Sequence, residues 1–250
     1  MKSNRYIMIA SLVVVLVVNG LANTLPINNQ TTGQVSDQFP ILFVPAGYVF
    51  SIWGLIYAAL IGFSVYSLTR KGLANKQIDS ITWWFVAASA SNAIWIFLWH
   101  YELFVLTLIP IFGLLISLMG IYLKLGVGLQ KHDLTEKLLV AMPFGIYLGW
   151  ATVAVVANVS QALYFIGWRG QPLTDVAWTV IMLAIASLLG VLMIFLRKEI
   201  AYPLVLVWAF VGIWIKHGGT PAVATTALVA AILLAVLTFG RLLLAKKQTA

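Results

Sequence analysis

The chain contains no cysteine, and only 9% of its 250 residues are charged. The first absence excludes disulfides, thiolate metal sites and cysteine nucleophiles together. The second excludes a water-soluble fold, because soluble domains carry about 25% charged residues and cover their surface with them. With 62% hydrophobic residues and a mean hydropathy of +1.00, the solvent for this chain is lipid. Ionisable groups are also missing from the interiors of the long apolar runs. Such groups mark pumps, proton relays and ion paths. No pair of buried carboxylates, histidine cluster with ligand spacing or nucleophile–base pair can be placed. A proton-driven pump, a metal site and an intramembrane hydrolase are therefore not expected.

What is present is a succession of apolar runs. A spanning helix needs about 20 mostly apolar residues. Eight segments qualify, at about residues 6–25, 46–67, 81–99, 103–123, 139–164, 175–196, 200–216 and 221–243. The expected fold class is an all-α integral membrane protein with eight transmembrane helices. Pro45 precedes the second segment, Thr220-Pro221 opens the eighth, and Thr174-Asp175 sets a cap and an acid at the positive end of the sixth. Lys2 and Arg5 precede the first run, and Gly20-Leu21-Ala22 offers small residues. Its length nevertheless favours a retained helix over a cleaved signal peptide.

A net charge of +8 raises nucleic acid as a partner, but the distribution of the charges decides otherwise. With the N-terminus inside, Arg169 and Lys216 fall outside, and every other Lys and Arg of the fifteen falls inside. This is the positive-inside pattern. It predicts a multi-pass protein of the cell membrane with both termini cytoplasmic. The bilayer is the expected partner, and nucleic acid is not.

Most connections are short, and no internal repeat is visible. The exception is Pro26 to Pro45, whose second half, "FPILFVP", is apolar. Loops of this length are commonly functional lids, and an apolar one folds back onto the mouth of the bundle. Gly145-x-x-x-Gly149, Ala87-x-x-x-Ser91 and Ala186-x-x-x-Gly190 read as seams where helices approach closely. His100, Glu102, Lys216 and His217 end their segments on the outer side, and His132 lies in an inner loop. These read as interfacial groups reaching water. Glu102 and Asp37 stand near the mouth with no evident partner.

Uncharged residues carry more information. Phe50, Trp53 and Tyr57 share one face of the second helix by their spacing, and Asn92, Trp95 and Trp99 share one face of the third. Tyr147, Trp150, Ala154 and Asn158 do the same on the fifth. All fall in the outer half, and Trp53, Trp95 and Trp150 lie too deep for an interfacial belt. Spacing leaves two readings open. Asparagines and large rings at these positions serve either as interhelical packing or as the wall of a binding pocket.

Trp53-x-x-x-Tyr57 behind a proline, Asn92-x-x-Trp95 followed by Leu98-Trp99, and Trp150-x-x-x-Ala154-x-x-x-Asn158 resemble the tryptophan-rich sensory proteins. This is the TspO/MBR family, which includes the translocator protein, or peripheral benzodiazepine receptor. The resemblance covers about residues 6–165. It implies a five-helix bundle, commonly a dimer, whose pocket binds porphyrins, sterols and drug-like aromatic ligands. By resemblance Trp53, Tyr57, Asn92, Trp95, Trp99, Trp150, Ala154 and Asn158 line that pocket. The chain departs from the family pattern in its long loop, which lacks Trp, Tyr and Lys, and in the spacing of Phe50 and Pro143 from the tryptophans that follow them.

Residues 1–165 are thus expected to form a TspO-like five-helix transmembrane bundle, and residues 166–250 a three-helix extension. The expected function is binding of a flat hydrophobic ligand, a tetrapyrrole or sterol-like molecule, for sensing or transport. The ten residues from Phe50 to Asn158 named above form the wall. No cofactor is required, and no enzyme activity is expected. The rival is a secondary transporter of a small neutral metabolite using all eight helices. A homodimer follows from the resemblance, unless the three added helices cover the face it would use.

Overall fold

Lipid offers a backbone no hydrogen-bond partners, so apolar runs of spanning length satisfy their own amides as helices. The computed structural model describes residues 2–25, 27–130, 133–169 and 171–247. Pro26 of the outer loop, and Lys131 and His132 of an inner connection, lie outside the described residues. The chain forms α1 (Lys2–Thr24), a 3-10 turn (Ile27–Asn29), α2 (Thr32–Asp37) and a second 3-10 turn (Gly47–Ser51). Then come α3 (Ile52–Ser67), the short α4 (Arg70–Ala74) and α5 (Lys76–Ser80), α6 (Thr82–His100) and α7 (Leu108–Lys124). There follow α8 (Leu134–Glu136), a π-helical stretch (Lys137–Ala141), α9 (Met142–Phe165), α10 (Asp175–Leu196), α11 (Ala201–Lys216) and α12 (Pro221–Lys247). No strand occurs among the described residues, and the fold is all-α.

Five helical runs are long and apolar enough to cross a membrane: Ser3–Thr24, Gly47–Ser67, Leu134–Phe165, Asp175–Leu196 and Pro221–Leu244. α7 and α11 are apolar but shorter. α6 spans 19 residues, but its turns hold tryptophans, serines, Asn92 and His100 in place of aliphatic side chains. The result is a multi-pass membrane protein. The fourth run starts at Leu108 rather than near residue 103, because residues 101–107 turn, with Glu102 at φ +59° and the Thr107 hydroxyl donating to the Phe104 carbonyl. α10 begins as expected, with the Thr174 hydroxyl accepting from the Ala177 amide.

The first five long helices close into a ring. α1 packs on α6, α6 on α7, α7 on α9, α9 on α3, and α3 on α1. α10, α11 and α12 pack on one another, and α11 lies along the far side of α9. Glycines set that approach. A Cβ on Gly149 would lie 3.0 Å from the Tyr202 carbonyl oxygen, and one on Gly145 would lie 2.8 Å from Glu199 Oε1. In an 18-residue window of the run ending in α9, Leu134–Phe165, 78% of the residues are buried, against 28–33% in those of the other four apolar spans. α11 is also tied to the second 3-10 turn, since Trp208 Nε1 donates to the Val49 carbonyl at 3.0 Å and the Ala46 amide to Gly212 at 3.1 Å.

The basic connections gather at one end. Arg5 is fully buried there, donating to the carbonyls of Gly72 and Asn75 at 3.0 Å each, with Asp79 at 3.4 Å. Lys71 pairs with Asp133 at 3.2 Å, and Gln77 donates to Gln130 at 2.6 Å. The long loop with α2 caps the opposite end.

Candidate functional site

α2 is only six residues long, yet it is well anchored. The Thr31 hydroxyl accepts from the Gln34 amide, and the Gln34 side chain accepts from the Thr31 amide at 2.7 Å, closing both ends of a capping box. Val35, Phe43 and Val44 of the loop are buried, and Phe39 meets Phe104 edge-on at 5.1 Å. The apolar half of the loop therefore lies against the bundle as a lid.

Polar contacts fasten it. Trp99 Nε1 donates to the Thr32 carbonyl at 3.2 Å, and Asn28 Nδ2 to the His100 carbonyl at 2.9 Å. Glu102 Oε1 accepts from Gln30 Nε2 at 2.8 Å and from Gln38 Nε2 at 3.1 Å. These two bonds, Gln30's the larger, hold its carboxyl below the usual carboxylate range. Lys216 Nζ pairs with Asp37 at 2.8 Å. The expectation that Glu102 and Asp37 lack partners is corrected by these contacts, which join residues far apart in sequence. His100 is corrected too. It is fully buried, with Nδ1 2.8 Å from the Ile96 carbonyl and Nε2 3.5 Å from the Thr32 hydroxyl. His217 is half-buried with Nε2 3.0 Å from the Val44 carbonyl, and burial lowers its pKa.

Beneath the lid is a cavity of about 290 Å³. α1 lends it Asn19 and Asn23, α2 lends Thr32 and Gly33, and α6 lends Ile96. Phe50, Trp53 and Tyr57 complete the wall, so the whole aromatic face of α3 and its preceding turn meets the cavity. Trp53 stacks on Tyr57 with ring centroids 5.6 Å apart, and presents its ring edge-on to Tyr147 at 5.9 Å and Trp150 at 6.2 Å. Phe50 meets Trp150 at 5.8 Å. The Tyr57 hydroxyl and Trp150 Nε1 are buried without a hydrogen-bond partner among the described residues.

The other expected residues stand behind or beside this wall. Asn92 Oδ1 accepts from Asn19 Nδ2 at 2.7 Å, and its Nδ2 donates to the Tyr147 hydroxyl at 3.2 Å. α1, α6 and α9 are thereby stitched together directly behind Asn19. Trp95 Nε1 donates to Asn158 Oδ1 at 2.7 Å, and Asn158 Nδ2 donates to the Thr107 hydroxyl at 2.7 Å. Trp99 stacks on Trp95 at 4.9 Å, and Ala154 packs half-buried against the core. The α3 residues thus line the cavity, whereas Asn92, Trp95, Trp99, Tyr147, Ala154 and Asn158 make contacts between helices outside its lining. Trp150 backs the wall from behind Phe50 and Trp53.

Asn19, Asn23, Thr32, Gly33 and Ile96 are cavity residues absent from the sequence expectation. The available signal was Asn19-x-x-x-Asn23, two amides on one helical face in the outer part of an otherwise aliphatic run. Further in, the ring is filled by Leu60, Phe85, Phe144 and Tyr147 around a void of about 10 Å³. The site offers rings, amides and hydroxyls, a set that binds and orients. Among the described residues, no group of three or more His, Asp and Glu is arranged to hold a metal ion.

No curated protein and no solved structure matches the chain. The sequence model for TSPO-like proteins matches residues 5–240, taking in the helices after residue 165 as well as the ring before them. With that match over nearly its whole length, and an aromatic cavity beneath a folded-back loop, the chain belongs to the TSPO-like family.

Proposed function

We propose that the protein is a membrane receptor or sensor that takes a flat hydrophobic ligand into the outer cavity beneath α2. A tetrapyrrole or sterol-like molecule is the class that family membership favours. The observation that carries the reading is Tyr57, whose hydroxyl is buried in the cavity wall without a protein partner. An unpaired buried hydroxyl is destabilising, and a ligand with one polar group among apolar rings relieves it. Phe50, Trp53 and Tyr57 supply the stacking surface, while Asn92, Tyr147 and Trp150 hold that surface from behind. Small-molecule sites run from about 300 to 1,000 Å³. At about 290 Å³ the cavity suits a small flat molecule with the lid closed, and a tetrapyrrole requires α2 to lift.

In this reading all eight long helices cross the bilayer, with residues 1–165 forming the binding ring and residues 166–250 an extension. The positive-inside bias puts both termini in the cytoplasm of a cell-membrane protein. The protein binds its ligand and carries out no catalysis, because rings and neutral amides do not move protons at neutral pH. Any homodimer uses faces other than the side of α9 covered by α11. A secondary transporter needs a polar path along the bundle, and the filled centre of the ring counts against it.

Gly33 provides the test. A Cβ there meets no atom within 4 Å, so Gly33→Leu fills the cavity without straining the lid. Quenching of tryptophan fluorescence by protoporphyrin, and its relief by competing cholesterol, are measured for the wild type, Gly33→Leu, and the control Gly240→Leu on α12. Loss of binding only in Gly33→Leu supports the outer cavity. Equal binding in all three puts the site elsewhere.

A further inference from the structure

A broad concavity lies on the outside of the bundle, away from the lid. It is a cleft of about 1020 Å³ bounded by α3, by the run from Leu134 to Ile146, and by α11. Ile52, Leu55, Leu138, Ile146, Leu204 and Trp208 give it apolar walls. Along the stretch from Leu134 to Ile146 the wall rises roughly 18 Å, more than half of the roughly 30 Å hydrocarbon core. The lower mouth opens at the basic end, where Gln130, Lys137 and Lys198 line it.

Two local features set those lysines there. Lys137 begins the π-helical stretch, and Lys137, Leu138 and Ala141 of that stretch all face the cleft. π turns recur at functional sites. Lys198 ends α10 with φ +55°, a left-handed position that glycine usually takes. Both side chains are exposed, and neither forms an ion pair with a described residue. The acids nearby are engaged. Glu199, also on the cleft, is buried and accepts from the Ala201 and Tyr202 amides at 3.2 and 2.7 Å, capping α11. Asp133 is paired with Lys71, and Glu136 accepts from Tyr66 and Asn75. The mouth thus presents two exposed cations outside any close ion pair, Lys137 feeling the Glu199 carboxylate at longer range, and an amide beneath an apolar channel at hydrocarbon depth.

We propose that this cleft binds one anionic membrane lipid, its acyl chain along the apolar walls and its phosphate at Lys137, Lys198 and Gln130. The site is separate from the outer cavity and does not depend on what that cavity binds. Cationic residues near a membrane surface favour anionic lipid by roughly fivefold each, so the two lysines together give roughly thirtyfold.

Trp208 on the cleft wall is the reporter. The full chain is reconstituted in phosphatidylcholine vesicles containing a minor fraction of lipid brominated along its acyl chain, carried on either phosphatidylglycerol or phosphatidylcholine. Brominated phosphatidylglycerol should quench more strongly than brominated phosphatidylcholine. The excess should disappear in Trp208→Phe, and in Lys137→Gln/Lys198→Gln the apparent preference should fall by roughly thirtyfold. Both lysines are exposed, so the double variant keeps the fold. Equal quenching by the two lipids overturns the proposal, leaving an ordinary lipid-facing groove. An excess that survives the double lysine variant also overturns it. So does a Trp208 shielded from both lipids in a protein that runs as a dimer, which would make the cleft a contact between copies.

Discussion

Replacing Tyr57 by phenylalanine removes one oxygen and leaves a ring of the same shape stacked on Trp53 at 5.6 Å. That oxygen is buried and has no protein partner. A buried, unsatisfied polar group is worth about 1–3 kcal/mol of destabilisation. Taking the lower end of that range, Tyr57→Phe should stabilise the ligand-free protein by about 1 kcal/mol. For a chain of this length, 1 kcal/mol moves Tm by roughly 2–4 °C. Binding should change in the opposite sense. A ligand that hydrogen-bonds the hydroxyl loses about 1 kcal/mol, and its Kd rises about fivefold. Thermal unfolding in lipid nanodiscs, with and without saturating protoporphyrin, measures both signs on one sample. The ligand-free variant should melt higher and gain less from ligand than the wild type. A lower Tm in the ligand-free variant would falsify the reasoning, since it would mean that the hydroxyl has a stabilising partner in the folded protein.

Glu102 gives the lid a pH dependence. Its folded pKa is depressed, so its contribution is complete above the ordinary carboxylate value and is lost as pH falls through the folded one. Protection from hydrogen exchange over residues 30–38, taken relative to the intrinsic rate at each pH, should therefore fall below pH of about 4, and Glu102→Gln should flatten that dependence. Gly149→Val drives a side chain into Tyr202 and Val205 across the α9–α11 seam and should destabilise by about 1–3 kcal/mol. A Tm equal to that of the wild type would mean that the seam is loose. The chain has no cysteine, so Gln34→Cys and Lys71→Cys report topology directly. An impermeant thiol reagent should reach Gln34→Cys from outside intact cells and Lys71→Cys only after they are opened.

Much of this architecture is legible in the sequence because lipid imposes simple rules. Run length gives the helices, basic residues give the ends, and the apolar "FPILFVP" stretch gives a loop that turns inward. Helical spacing also groups residues on shared faces. It does not say what each face meets. Asn92 and Trp95 lie three residues apart on α6, yet Asn92 joins Asn19 and Tyr147 while Trp95 joins Asn158. The rotation between adjacent positions is enough to send them to different neighbours. Asn19 and Asn23 escaped notice because a run that qualifies as a span by its mean hides the two amides that matter. Partners such as Asp37 with Lys216, 179 residues apart, exist only once the ring and the extension have packed. No local pattern encodes them.

α9 has neighbours on every side, and this makes it the mechanical link between the two halves of the molecule. Its inner face carries Tyr147, Trp150 and Asn158, which brace the cavity, and its outer face rests on α11 through Gly145 and Gly149 with no side chain between to cushion the contact. A helix bordered by lipid can absorb a push by sliding into soft chains. α9 cannot, so a displacement of α11 passes through it to the rings around the cavity. α11 also grips the turn before α3 through Trp208 and Gly212, and holds the lid through Lys216 and Asp37. One added helix therefore touches the wall, the brace and the cover of the cavity together.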